Sequence, residues 1–108
     1  MNITDAQKKV DELIMKYGGY WEPLSMMARI TEEVGELARA LNITHGGKER
    51  KDADDGRDIE KELADVLFTT LAIANREKVD LESAFLEKVG VDKEKLKGIY
   101  YDDDTDTE

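Results

Sequence analysis

At 108 residues, 39% of them charged and none of them cysteine, the chain has room for one domain and excludes disulfides, thiolate metal sites and cysteine nucleophiles. Its net charge of −10 would repel a nucleic-acid backbone, and would repel a phosphate ligand too unless divalent cations bridged the two. The longest apolar stretch, LADVLFTTLAIA, is too short to span a bilayer and contains Asp65, so the expectation is a soluble, unexported, cytoplasmic chain that binds neither membrane nor nucleic acid.

The first predicted helix starts at Thr4, which with Gln7 matches a T-x-x-Q capping box, and runs to Tyr17 with Val10, Leu13, Ile14 and Tyr17 on one face. Gly18 and Gly19 end it. Pro23, suited to a first helical turn, opens a second helix that continues to about Asn42. A polar loop, HGGKERKDADDGRD, follows, and its lone His45 reads as a surface residue rather than a ligand. Asp58 is expected to cap a third helix, IEKELADVLFTTLAIANREK, and Asp80 a shorter fourth, LESAFLEKV. With no alternating strand pattern and a single proline, the fold class is all-α, four helices over residues 1–91. Residues 92–108 form an extension whose acidic end is expected to be disordered, a solubilising tail in preference to a weak calcium site.

Wound at 100° per residue, the second helix gathers Leu24, Met26, Met27, Ile30, Val34, Leu37, Ala38 and Leu41 on one broad arc, with Glu33 at its edge and Glu32 and Glu36 beside it. Taken alone, that strip is also what a solvated helix face looks like. On the third helix Asp65 is the only charge between Leu63 and Ala74, and it shares a strip with Glu62, Thr69 and Arg76. A helix so apolar is expected to be buried nearly all round, so its carboxylate should be neutralised, salt-bridged to Arg76 or Arg29, or bound to a metal. If the two helices pack antiparallel, the two acidic pairs converge. Like charges about 5 Å apart repel by about 3 kcal/mol per pair at an effective dielectric near 20. A divalent cation removes that repulsion, and an oxygen-only ligand set selects magnesium, manganese or calcium over zinc.

These residues resemble the signature of the MazG-like nucleotide pyrophosphohydrolases, E-E-x-x-E followed after a spacer by E-x-x-D. Here it reads Glu32-Glu33-Val34-Gly35-Glu36, a spacer of 25 residues, then Glu62-Leu63-Ala64-Asp65. The likeness extends from about Tyr17 to Ala84 through PLSMMARITEEVGELARALN, HGGKERK and EKELADVLFTTLAIANREKVDLESA. It implies hydrolysis of a nucleoside triphosphate to the monophosphate and pyrophosphate with Mg2+, or Mn2+ in its place, held by Glu33, Glu36, Glu62 and Asp65. It also implies a homo-oligomer, a dimer or a dimer of dimers, in keeping with apolar arcs too wide for one copy to cover.

Within that reading Glu32 or Glu36 is the expected general base. Lys48, Arg50 and Lys51 are candidates to clamp pyrophosphate, as against a plainly solvated loop. Trp21, with Tyr17 and Tyr20, is a candidate to stack on a base, though core or interface packing is the stronger expectation. Asn75 and Arg76 are further candidates for substrate contact. Two alternatives stand beside it. One is a phosphoribosyl-ATP pyrophosphohydrolase, from which the glycine in EEVGEL and the loop texture differ. The other is a helical interaction module with no enzymatic role.

Overall fold

The structure, a computed structural model, describes residues 1–46 and 58–91. Within them the helical periodicity of the sequence becomes four helices: α1 (Ile3–Lys16), α2 (Pro23–His45), α3 (Asp58–Arg76) and α4 (Leu81–Val91). α1 starts earlier than the T-x-x-Q frame predicts. Asn2 is the cap, its side chain accepting the Asp5 amide at 2.7 Å while the Asp5 carboxylate accepts the Asn2 amide at 3.4 Å. Two capping frames overlap here, and Asn leads Thr in capping strength.

The earlier start frees Thr4 and Gln7 for longer reaches. Thr4 donates through its amide and hydroxyl to Glu82 Oε1 at 2.9 and 3.0 Å, tying α1 to α4. Gln7 Nε2 donates to Asn75 Oδ1 at 2.8 Å and to the Val79 carbonyl at 3.0 Å, and Gln7 Oε1 accepts the Leu81 amide at 3.1 Å. Asn75 Nδ2 closes the loop on the Gln7 carbonyl at 2.9 Å. One glutamine thus fixes the α3–α4 turn against α1.

At the other end of α1, Gly18 and Gly19 have φ of +113° and +98°, a region where any side chain would be strained. They swing the chain so that Tyr20 and Trp21 lie back against α1 and lead into Pro23, the first residue of α2. α2 runs on to His45, past the expected end at Asn42, so His45 sits exposed in its last turn rather than in the glycine loop. Asp58, expected as a cap, is the first residue of α3. Asp80 does cap α4, accepting the Ser83 amide and hydroxyl at 3.2 and 3.0 Å.

The core sits where α1, the start of α2 and the second half of α3 meet. Val10, Met26, Leu71 and Ala72 are buried there, with Ile3, Ile14, Tyr20 and Leu81 packed on them. The expected burial of α3 on every side holds only for this half. Leu63 and Leu67, in the first half, remain 52% and 58% exposed. No described helix is long and apolar enough to cross a membrane.

Candidate functional site

Packing of α2 on α3 brings both acidic motifs into one groove. Glu33, predicted at the edge of the apolar arc, is 6% exposed. Its Oε2 accepts Arg29 Nε at 2.8 Å, one turn back on α2, and its Oε1 is buried without a partner. On α3, Glu62 repeats the pattern: Oε2 lies 3.7 Å from Lys61 Nζ, while Oε1 is buried and unpaired. Asp65 Oδ2 accepts Lys61 Nζ at 3.1 Å.

Among the described residues the direct partner of Asp65 is therefore neither Arg29 nor Arg76, the two arginines the sequence suggests, but Lys61. At 39% side-chain exposure, Asp65 is also less buried than expected. Lysine four residues before an acid is the weaker order for a helical pair, so the sequence pattern gives Lys61 little prominence. Glu32 and Glu36 are exposed on the rim of the groove.

The electrostatics tie these groups together. Lys61 is held above the usual lysine range by its hydrogen bond to Asp65, then by the charges of Asp65, Glu62 and Glu36. Arg29 is likewise raised, first by its bond to Glu33, with Glu32 and Asp65 adding to it. Asp65 thus lies within reach of both cations, and carboxylates from both helices share them.

Beside the groove opens a cavity of about 280 Å³. Its walls are apolar at Ile14, Met26, Phe68 and Ala72, and Tyr17, Tyr20 and Trp21 give it an aromatic side. Glu33, Asp65, Arg29 and Thr69 supply its polar lining, so the cavity and the acidic groove are continuous. Arg29 lies over the Trp21 ring, 5.4 Å from its centroid. Tyr20 donates its hydroxyl to Asp11, and burial followed by that carboxylate pushes the phenol up to about 12.

Of the other sequence candidates, Asn75 has both ends of its amide engaged by Gln7, and Arg76 Nη2 lies 4.0 Å from Glu22 Oε1. Lys48, Arg50 and Lys51 lie outside the described residues. Thr69, which the sequence places only on the strip with Asp65, is 7% exposed and lines the cavity.

Two buried, unpaired carboxylate oxygens, one on each of the packed helices, are the feature a divalent cation would satisfy, and an all-oxygen donor set matches magnesium or manganese. As the side chains stand, no three acidic or histidine groups among the described residues are drawn together tightly enough to enclose an ion. Three of the four candidate carboxylates instead lend one oxygen to Arg29 or Lys61.

Two packed helices, one bearing E-E-x-x-E and the other E-x-x-D, are the arrangement that the sequence resemblance implies for an all-α nucleotide pyrophosphohydrolase. Residues 21–94 match the MazG nucleotide pyrophosphohydrolase domain, and the chain belongs to that family of enzymes. It is 46% identical to YpjD of Bacillus subtilis strain 168 over 83 residues, 76% of this chain and 75% of that protein. The crystal structure of YpjD matches it with a TM-score of 0.75 and 41% identity, covering 83% of this chain and 93% of the other. A Bacillus-conserved MazG protein, a nucleotide pyrophosphohydrolase, matches with a TM-score of 0.71 and 43% identity over 83% and 87% of the two chains.

Proposed function

We propose that the enzyme hydrolyses nucleoside triphosphates to the monophosphate and pyrophosphate, with the phosphate chain in the acidic groove and the base in the adjoining cavity. The observation that carries this reading is that Glu33, with one oxygen buried and unpaired, lines an aromatic-walled cavity together with Asp65, while Glu62, three residues before Asp65, holds a second buried, unpaired oxygen. A groove lined by carboxylates repels a triphosphate unless a cation stands between them, and Glu33, Glu36, Glu62 and Asp65 are the residues that would hold it. When bound, magnesium, or manganese in its place, would neutralise nonbridging phosphate oxygens and make a water more acidic.

The chain's own residues do the rest. Glu36 and Glu32, both exposed beside the buried Glu33, are the two carboxylates free to accept the proton of the attacking water, Glu36 also serving as a ligand in this reading. Trp21 and Phe68 offer flat apolar faces to a base, and Thr69 a hydroxyl. At 280 Å³ the cavity is near the lower end of the range of about 300–1,000 Å³ for ligand pockets, which suits a base with part of its sugar and leaves the phosphates outside over the acids.

Self-association belongs to the same reading. Met27, Val34 and Leu41 recur every seven residues along α2, and all are 42% exposed or more. Leu63 and Leu67 on α3 and Phe85 and Leu86 on α4 are also uncovered. A second copy, covering this surface in a homodimer or a dimer of dimers, would bury what one chain leaves wet.

The testing experiment is a panel of normal and altered nucleoside triphosphates assayed with magnesium and with EDTA, pyrophosphate and orthophosphate being measured separately. The expected products are pyrophosphate and monophosphate, only with the metal. Release of orthophosphate with a diphosphate left behind, or full turnover in EDTA, would contradict the reading.

A further inference from the structure

The two basic side chains in the acidic groove are anchored differently. Arg29 is held twice, by Glu33 at 2.8 Å and by the face of Trp21. Among the described residues Lys61 is held by carboxylates, its Nζ 3.1 Å from Asp65 Oδ2 and 3.7 Å from Glu62 Oε2, with Glu36 the third acid in its field. Its side chain is 67% exposed, so it gives up little packing when it moves, and an exposed helical pair in this order is weak. The oxygens it engages belong to two of the four carboxylates assigned above to the metal.

We propose that Lys61 is a built-in counter-cation. In the metal-free protein it neutralises Glu62 and Asp65; a divalent cation entering the groove displaces it, and its freed ammonium then engages the phosphate chain of the nucleotide. The proposal rests on the metal assignment. An ammonium 3.1 Å from Asp65 Oδ2 and 3.7 Å from Glu62 Oε2 would stand next to an ion held by the remaining oxygens of these same carboxylates, and the two cations repel at such short range. The lysine stem is long and flexible, and its ammonium is a point charge with no planar geometry to satisfy, so it can exchange one anionic partner for another. Arg29, stacked on Trp21, lacks that freedom. The exchange also orders binding: the lysine becomes available to phosphate only once the metal has arrived.

The test is calorimetric titration of magnesium, without nucleotide, into the full-length protein, into Lys61→Met and Lys61→Arg, and into Lys9→Met, which removes an exposed lysine from α1. Lys61→Met is expected to bind magnesium about three- to ten-fold more tightly, with Lys61→Arg and Lys9→Met within about two-fold of the wild type. In turnover at saturating magnesium, Lys61→Met is expected to raise KM for the nucleotide by about five-fold with a much smaller change in kcat, and Lys61→Arg to recover most of that loss. A magnesium affinity for Lys61→Met no higher than that of Lys9→Met would overturn the exchange. Tighter magnesium with an unchanged KM would overturn delivery of the ammonium to phosphate. A wild type that takes up no magnesium and turns over fully in EDTA would overturn the metal assignment and this proposal together, a result distinct from the first because no variant would then bind the ion.

Discussion

Arg29 and Glu33 stand one turn apart on α2 with Nε 2.8 Å from Oε2, and the second oxygen of Glu33 is buried with no partner. The pair is half satisfied: the guanidinium, 50% exposed, is solvated on one side, while the carboxylate is nearly sealed. Glu33→Gln keeps the acceptor for Arg29 and removes the unpaired charge. Its stability in EDTA is expected to stay within about 1 kcal/mol of the wild type, because the arginine can turn to water. Pyrophosphate release should fall by about 100-fold or more, as expected when a ligand of a catalytic cation is lost. Melting in EDTA and a pyrophosphate assay check the two halves.

Gln7→Ala separates scaffold from site. The side chain makes three hydrogen bonds across the α1, α3 and α4 junction, each worth about 0.5–1.5 kcal/mol net, so its loss should cost about 2 kcal/mol in urea unfolding. Turnover per folded molecule should be nearly unchanged, since Gln7 lines neither groove nor cavity.

Tyr20 gives a pH signature. Its folded phenol titrates at about 12 against an ordinary value near 10, a raised value caused first by burial and then by Asp11. A raised acid favours the protonated form, so the stabilisation is fully present below about pH 10 and is lost as pH rises towards 12. Tyr20→Phe is expected to be about 1 kcal/mol less stable than the wild type at pH 7, with the difference shrinking between about pH 10 and 12. Denaturant midpoints measured across that range check it.

Much of this was legible in the sequence, and the departures have physical causes. Apolar periodicity and the Pro23 and Asp80 signals locate the helices, and the spacing of E-E-x-x-E and E-x-x-D identifies the acidic groove. The start of α1 departs from the T-x-x-Q frame because two capping frames overlap by two residues, and only the fold shows that Gln7 is needed elsewhere. Lys61 went unremarked because local pattern does not reveal which cation reaches an acid when rotamers decide it. The cavity depends on Gly18 and Gly19 folding Tyr20 and Trp21 back onto α1, a tertiary event that no helical periodicity encodes.

The uncovered apolar strips carry the prediction about assembly. Sedimentation at micromolar concentration should show at least a dimer, and Leu67→Glu, which places a charge on an exposed apolar position of α3, should shift the distribution to smaller species. A wild type that sediments as a folded monomer would contradict it.

The most direct test of the central claim is melting of the wild type and Asp65→Asn, each in EDTA and in excess magnesium. Asp65 pairs with an exposed lysine, so in EDTA the variant should match the wild type within about 1 kcal/mol. With magnesium at 100 times its dissociation constant the wild type should gain about 2.7 kcal/mol. The account predicts that Asp65→Asn loses most of that gain together with pyrophosphate release; a variant that keeps the full magnesium shift would contradict the assignment of these carboxylates to the metal.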